Sequence, residues 1–221
     1  MSWDIAIRTS VGDSRQSFDL DVAVRSDAQR VVLFGPSGAG KSLTLRAIAG
    51  LLAVEAGHVR IAGRTLLDSA AGVDVPAEQR KLGYVFQEYA LFPHLTVRQN
   101  VAFGLRAGWR NPAKKAPHDV VDHWLCAFSL EPVAGQYPDQ LSGGQRQRTA
   151  LARALVTEPR ALLLDEPFAA LDSGLRERLR GELRELHERV GVPMLLISHD
   201  EADVAAFGDV VVVLEAGRVV A

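Results

Sequence analysis

Arg30-Val-Val-Leu-Phe-Gly-Pro-Ser-Gly-Ala-Gly-Lys-Ser42 carries an apolar run, Arg30 to Phe34, into a glycine-rich octet, Gly35 to Ser42, followed by the apolar helical stretch Leu43 to Leu52. The run is short and unbroken, as in a strand covered on both faces, so the octet occupies a strand-to-helix turn. Glycines there let the backbone curl until successive N–H groups point at phosphate oxygens, and the helix adds the positive end of its dipole. In that frame Lys41 reaches the β- and γ-phosphates of ATP and the Ser42 hydroxyl ligates Mg²⁺. Gly35, Pro36, Ser37, Gly38, Ala39, Gly40 and Leu43 complete the cradle.

Outward from this turn, Ala161-Leu-Leu-Leu164 and Met194-Leu-Leu-Ile197 repeat the form of a doubly covered strand. With helices between them they predict a parallel α/β core. Ser17 to Val24 differs: Phe18, Leu20, Val22 and Val24 alternate with polar residues, which predicts an antiparallel N-terminal sheet. From Glu88 to Ala154 strand signals give way to helical periodicity, interrupted by a loop at Asn111 to Pro117. Thr96 with Gln99 predicts a capping box, and Asp172 an N-cap before the stripe Leu175, Leu179, Leu183, Leu186 and Val190. The expected organisation is one domain over 1–221. A catalytic core of 1–87 and 155–221, with its β subdomain, accepts a helical insertion at 88–154.

Asp165 and Glu166 follow Ala161-Leu-Leu-Leu164 directly, at the carboxyl end of a strand where ligands of open α/β sheets bind. Asp165 is expected to hold the metal shell. Glu166, facing the other way by strand alternation, polarises the attacking water. Ser142, Gly143 and Gly144 precede the helical stretch Gln145 to Leu155 and make a second anion site of N–H groups, hydroxyl and helix dipole.

The bulk numbers exclude several classes. With 25 Lys and Arg against 27 Asp and Glu in 221 residues, no basic field argues for nucleic acid as a partner. Cys126 is the single cysteine, which fits a reducing compartment. No run is long enough to cross a bilayer, and Met-Ser-Trp-Asp is not the start of a secretory signal. His118 and His123 do not share a helical face, so no metal site is expected there.

Leu141-Ser-Gly-Gly-Gln145, lying between the glycine octet and a strand ending in Asp-Glu, resembles the signature of ABC-type ATPases. The resemblance covers nearly the whole chain and implies a P-loop NTPase (RecA-like) core. It implies that Gln87 is the Q-loop glutamine that serves the Mg²⁺ shell with Ser42 and Asp165. Ala170-Leu171-Asp172 becomes the D-loop, and His199 the switch histidine that bonds the γ-phosphate and holds water near Glu166. In that family two subunits face each other, so Leu141, Ser142, Gly143, Gly144 and Gln145 of one cover the ATP held by the other. Catalysis then falls to Glu166, His199 and Lys41, within a homodimer peripheral to the cytoplasmic face of the cell membrane. The dimer drives integral-membrane permease subunits and, through them, serves a solute-binding protein.

Arg80 to Asn100 resembles the bacterial importer branch, in which Tyr89, Leu91, Phe92 and Pro93 become candidates for the permease contact. Pro193 to His199 and Val213 to Arg218 look most like the molybdate/tungstate type, with sulfate, iron, sugar or polyamine importers as the alternative. None of these residues touches cargo. Adenine often stacks on an N-terminal aromatic in this family, yet Val11 to Gln16 contains none; Trp3 and Phe18 are near, out of clear register. Importers of this branch often carry a further C-terminal regulatory domain, and the ending at Val219-Val-Ala221 suggests either a short family member or a trimmed chain. ABC ATPases that work without a permease form the more distant alternative; those usually carry paired cassettes or coiled-coil insertions, and this chain has no sustained heptads.

Overall fold

Side-chain alternation in three buried strands divides the core in two. A computed structural model describes residues 1–12, 17–105, 111–113, 118–169 and 173–220. In chain order its elements are β1 (Trp3–Gly12), β2 (Ser17–Ser26), β3 (Arg30–Phe34), α1 (Lys41–Ala49), β4 (Ala56–Ile61), β5 (Arg64–Asp68), β6 (Val73–Asp74) and β7 (Leu82–Val85). Then come α2 (Val97–Ala102), α3 (Asp119–Ala127), α4 (Gly143–Leu155), β8 (Ala161–Asp165), α5 (Ser173–Val190), β9 (Met194–Ser198), α6 (Glu201–Phe207), β10 (Val210–Glu215) and β11 (Arg218–Val219).

Val32 of β3, Leu162 and Leu164 of β8, and Met194 and Leu196 of β9 face the core shared with α2 to α6. Their neighbours Val31, Leu33, Ala161, Leu163, Leu195 and Ile197 face α1 and the N-terminal strands. A period of two, buried on both sides, is why these strands read as continuous apolar runs. Burying each such Leu or Ile stabilises the fold by roughly 1.5–3 kcal/mol.

Among the described residues the strands form one sheet, in the order β6-β5-β4-β1-β2-β11-β10-β3-β9-β8-β7. The block β10-β3-β9-β8-β7 is parallel throughout. The N-terminal block is antiparallel, with β1 between β2 and β4. Strand β11 joins the blocks, parallel to β2 and antiparallel to β10. The expected antiparallel sheet and parallel core are thus present as one continuous surface. Between β7 and β8 the described residues hold only helices, turns and irregular chain. The architecture is α/β, a P-loop NTPase core with an antiparallel β subdomain and an inserted helical subdomain.

Local boundaries differ from the sequence reading where capping decides. Helix α1 starts at Lys41 rather than Leu43 and stops at Ala49, because the Leu51 N–H turns back to the Arg46 carbonyl. Helix α4 starts at Gly143 rather than Gln145, since Ser142 is its N-cap. The Thr96 and Gln99 capping box on α2 is present, and α5 buries Leu179, Leu183 and Leu186 as expected. Trp3 is fully buried with its indole N–H on the Ala28 carbonyl, so it is a core residue and not a platform for a base. Ala170, Leu171 and Asp172, residues 13–16 and residues 114–117 lie outside the described residues, and with them the D-loop, part of the adenine region and part of the expected loop.

Candidate nucleotide site

The glycine octet is held against the end of β10. A Cβ added at Gly35 would stand 2.2 Å from the Leu214 carbonyl oxygen, so only glycine lets the two backbones approach this closely. Gly40 caps α1 in the left-handed region, with φ 97°, and a Cβ there would meet the Phe18 ring at 2.9 Å. Pro36, Ser37 and Gly38 form the exposed crest of the turn.

Lys41 is folded under this crest. Its Nζ donates to the carbonyls of Gly35 (2.7 Å) and Pro36 (2.8 Å) and lies 3.9 Å from Glu166 Oε1. The side chain is 4 % exposed. Burial lowers its pKa, and the Glu166 and Asp165 carboxylates oppose that shift. Ser42 Oγ donates to Asp165 Oδ1 at 2.8 Å, and the Tyr84 hydroxyl donates to Oδ2 at 3.1 Å. Burial, then the adjacent Asp165 charge, push the Tyr84 phenol up, which keeps its proton available for that bond. Tyr84 was not singled out from sequence; its place on β7, paired with β8, puts it beside Asp165.

Glu166 separates from Asp165 for a reason other than strand alternation. β8 ends at Asp165, and Glu166 takes a left-handed φ of 45°, a conformation that costs a non-glycine residue roughly 1–2 kcal/mol. Strain of this kind persists where the surroundings impose it, and it collects at functional sites. The turn aims Glu166 Oε1 between Lys41 Nζ and His199 Nδ1, which lies 3.3 Å away. His199 is itself 58 % exposed at the end of β9.

A cavity of about 270 Å³ opens over this group, lined by Phe18, Ser37 to Leu43, Gln87 and Glu166. Gln87 therefore borders the cradle together with Glu166, and Phe18 is the aromatic that lines it. The Ser42 hydroxyl and Asp165 carboxylate are hard oxygen donors converging on one point, the donor type that Mg²⁺ takes.

Leu141 to Gln145 do not line that cavity. Leu141 is buried, whereas Ser142 is exposed at the start of α4. Ser142 Oγ accepts from the Gln145 N–H and Gln145 Oε1 accepts from the Ser142 N–H. This reciprocal cap uses two donors and leaves the N–H groups of Gly143 and Gly144, with the Ser142 hydroxyl proton, for an anion.

An apolar groove of about 370 Å³ lies between Phe86, Phe92, Phe103 and Arg153. Arg153 on α4 donates to the carbonyls of Tyr89 and Ala90, both at 2.7 Å, and burial alone lowers its guanidinium to about 10. Phe92 is partly buried against Phe103, with ring centroids 4.2 Å apart, while Pro93 is exposed and Leu91 partly so. Tyr89 departs from expectation: it is buried, its hydroxyl on the Pro167 carbonyl at 3.4 Å, and so belongs to the core.

Known proteins resemble the chain over most of its length. It is 46 % identical over 208 residues to the sulfate/thiosulfate import ATP-binding protein CysA of Synechocystis sp., covering 94 % of this chain and 56 % of that protein. To the protein of the same name from Bordetella bronchiseptica it is 50 % identical over 191 residues, 86 % of this chain and 52 % of that one. The chain thus spans about half the length of these relatives. Among solved structures, the dimeric post-hydrolysis ATP-binding cassette MJ0796, bound to ADP and Pi, superposes with a TM-score of 0.79 at 30 % identity, covering 100 % of this chain and 97 % of that chain. The family model described as ABC transporter matches residues 19–169, more than half of the chain, which therefore belongs to the ABC transporter family.

Proposed function

We propose that this chain is the ATP-hydrolysing subunit of an importer, and that two copies close around Mg-ATP to drive a separate membrane permease. The observation that carries the reading is the Glu166 carboxylate, held in a strained turn between Lys41 Nζ and His199 Nδ1 at the floor of the glycine-loop cavity. A carboxylate there orients and polarises water toward the γ-phosphorus. Lys41 exchanges the Gly35 and Pro36 carbonyls for phosphate oxygens, and its charge acts with greater strength in a dry site. His199 holds the γ-phosphate and the water. Mg²⁺, when bound to Ser42 and Asp165 with Gln87 nearby, supplies Lewis-acid stabilisation of the phosphate charge. The Ser142 turn of the partner copy supplies the second grip.

In this reading residues 88–154 act as one helical arm on a core of 1–87 and 155–221. The arm presents Phe92, Pro93 and the groove beside Arg153 to the permease at the cytoplasmic face of the membrane, where the subunit is peripheral. No described helix is long and apolar enough to cross a membrane. For cargo we favour sulfate or thiosulfate over molybdate or tungstate, because the relatives above import the former, and the features that resembled the molybdate type touch no solute. A solute-binding protein outside this chain would select it. Glu166→Gln should lower ATP turnover about 10²–10⁴-fold with nucleotide binding retained; undiminished hydrolysis would remove Glu166 from its role.

A further inference from the structure

We propose that Arg180 is a positioning residue for His199, acting as a clamp that fixes the distance between His199 and Glu166. The inference rests on the hydrolytic reading above. Among the described residues His199 pairs only with Glu166 Oε1, at 3.3 Å, and it is largely exposed, so its own side chain does not fix its place. Both residues flanking it are fixed instead. Ser198 Oγ donates to Asp203 Oδ2 at 2.5 Å and accepts from the Asp200 N–H at 2.9 Å.

Arg180, reaching across from α5, closes this loop with one edge of its guanidinium. Its Nε donates to Asp203 Oδ1 at 2.5 Å and its Nη2 to Asp200 Oδ2 at 2.6 Å. Arg176 adds a bond to the same Asp200 oxygen at 3.1 Å. Asp203 is 3 % exposed, and the guanidinium is the only cation it touches among the described residues. The guanidinium also lies 5.9 Å over the ring of Phe168, which is buried two residues beyond Glu166 and stacked on Phe207 of α6. One side chain therefore touches the segment that carries Glu166, touches Asp200 on one side of His199, and reaches Ser198 on the other side through Asp203. A planar fork can hold three such points at once; a lysine ammonium cannot.

The test is a kinetic cycle in the 221-residue chain, with single-turnover hydrolysis under excess enzyme so that slow rates remain measurable. Two variants are compared, because removing Arg180 alone leaves a buried charge on Asp203: Arg180→Lys, and Arg180→Met combined with Asp203→Leu, which replaces the pair by apolar groups. Each should lower the rate about tenfold or more, with KM for Mg-ATP within about twofold and thermal unfolding still cooperative. In a His199→Ala background the same changes should lower the rate by less than about twofold, since a clamp acting through His199 has nothing left to place. Equal losses in both backgrounds, or an unchanged rate with His199 present, overturn the clamp and leave the ATPase reading standing. Absence of hydrolysis by the unaltered chain overturns that reading, and the clamp with it.

Discussion

The turn at Gly35 to Ser42 and the turn at Ser142 to Gln145 use the same chemistry, backbone N–H groups at a helix start, yet they are kept in opposite states. Around the first, Lys41, Ser42, Tyr84, Asp165, Glu166 and His199 already bond or pair with one another beside a cavity. In the second, Ser142 is exposed and Gly144 buried, the cap is the reciprocal pair of Ser142 and Gln145, and none of the four residues lines that cavity. A preorganised cradle and a bare anion-binding turn are what a ligand gripped by two molecules requires: one half binds alone, and the other contributes once the copies meet.

The largest effect that can break this comparison is at Lys41. Lys41→Ala removes the charge from the finished half, and ATP hydrolysis should fall about 10²–10³-fold, with calorimetry showing weakened Mg-ATP binding to a single chain. Binding at undiminished affinity would mean that the first turn is not the cradle. A smaller and more selective effect is expected at Ser142. Ser142→Asp keeps a good N-cap, so the melting temperature should hold, but it sets a negative charge against the phosphate of the other copy. Single-chain nucleotide affinity should be unchanged while hydrolysis drops about tenfold or more; full activity would sink the trans role of this turn.

The smallest effect lies away from both turns and separates fold stability from site chemistry. His187 on α5 is buried, its Nε2 2.9 Å from the Val192 carbonyl, and burial is the main cause lowering its pKa from the usual value of about 6.5. The unfolded chain takes up that proton first as pH falls, so stability contributed here is full above about pH 6.5 and is lost below it, toward the folded value. His187→Gln should flatten the acid-side fall in melting temperature. An unchanged slope would place the acid sensitivity elsewhere.

Much of this arrangement was legible in the sequence because it is local. The runs at Arg30, Ala161 and Met194 and the Thr96 cap each follow from a few consecutive residues and are found where expected, and the octet makes the strand-to-helix turn while running two residues into α1. What escaped depends on contacts between distant segments. Tyr84 meets Asp165 through the register of β7 on β8, 81 residues apart in sequence. Glu166 points as it does through a left-handed turn that no alternation rule predicts. Tyr89 is buried by its own positive φ and its bond to Pro167, although its neighbours Leu91 and Phe92 remain partly open. Cargo was illegible for a simpler reason: the segments that suggested molybdate, Pro193 to His199 and Val213 to Arg218, belong to β9, β10 and β11 and the turns beside them, which build the sheet.

Sedimentation of the Glu166→Gln chain with and without Mg-ATP tests the two-molecule grip most directly. The account predicts a shift from the mass of one chain to that of two, lost again when Ser142→Asp is added. A single-chain mass at saturating nucleotide, with calorimetry confirming that Mg-ATP is bound, would contradict it.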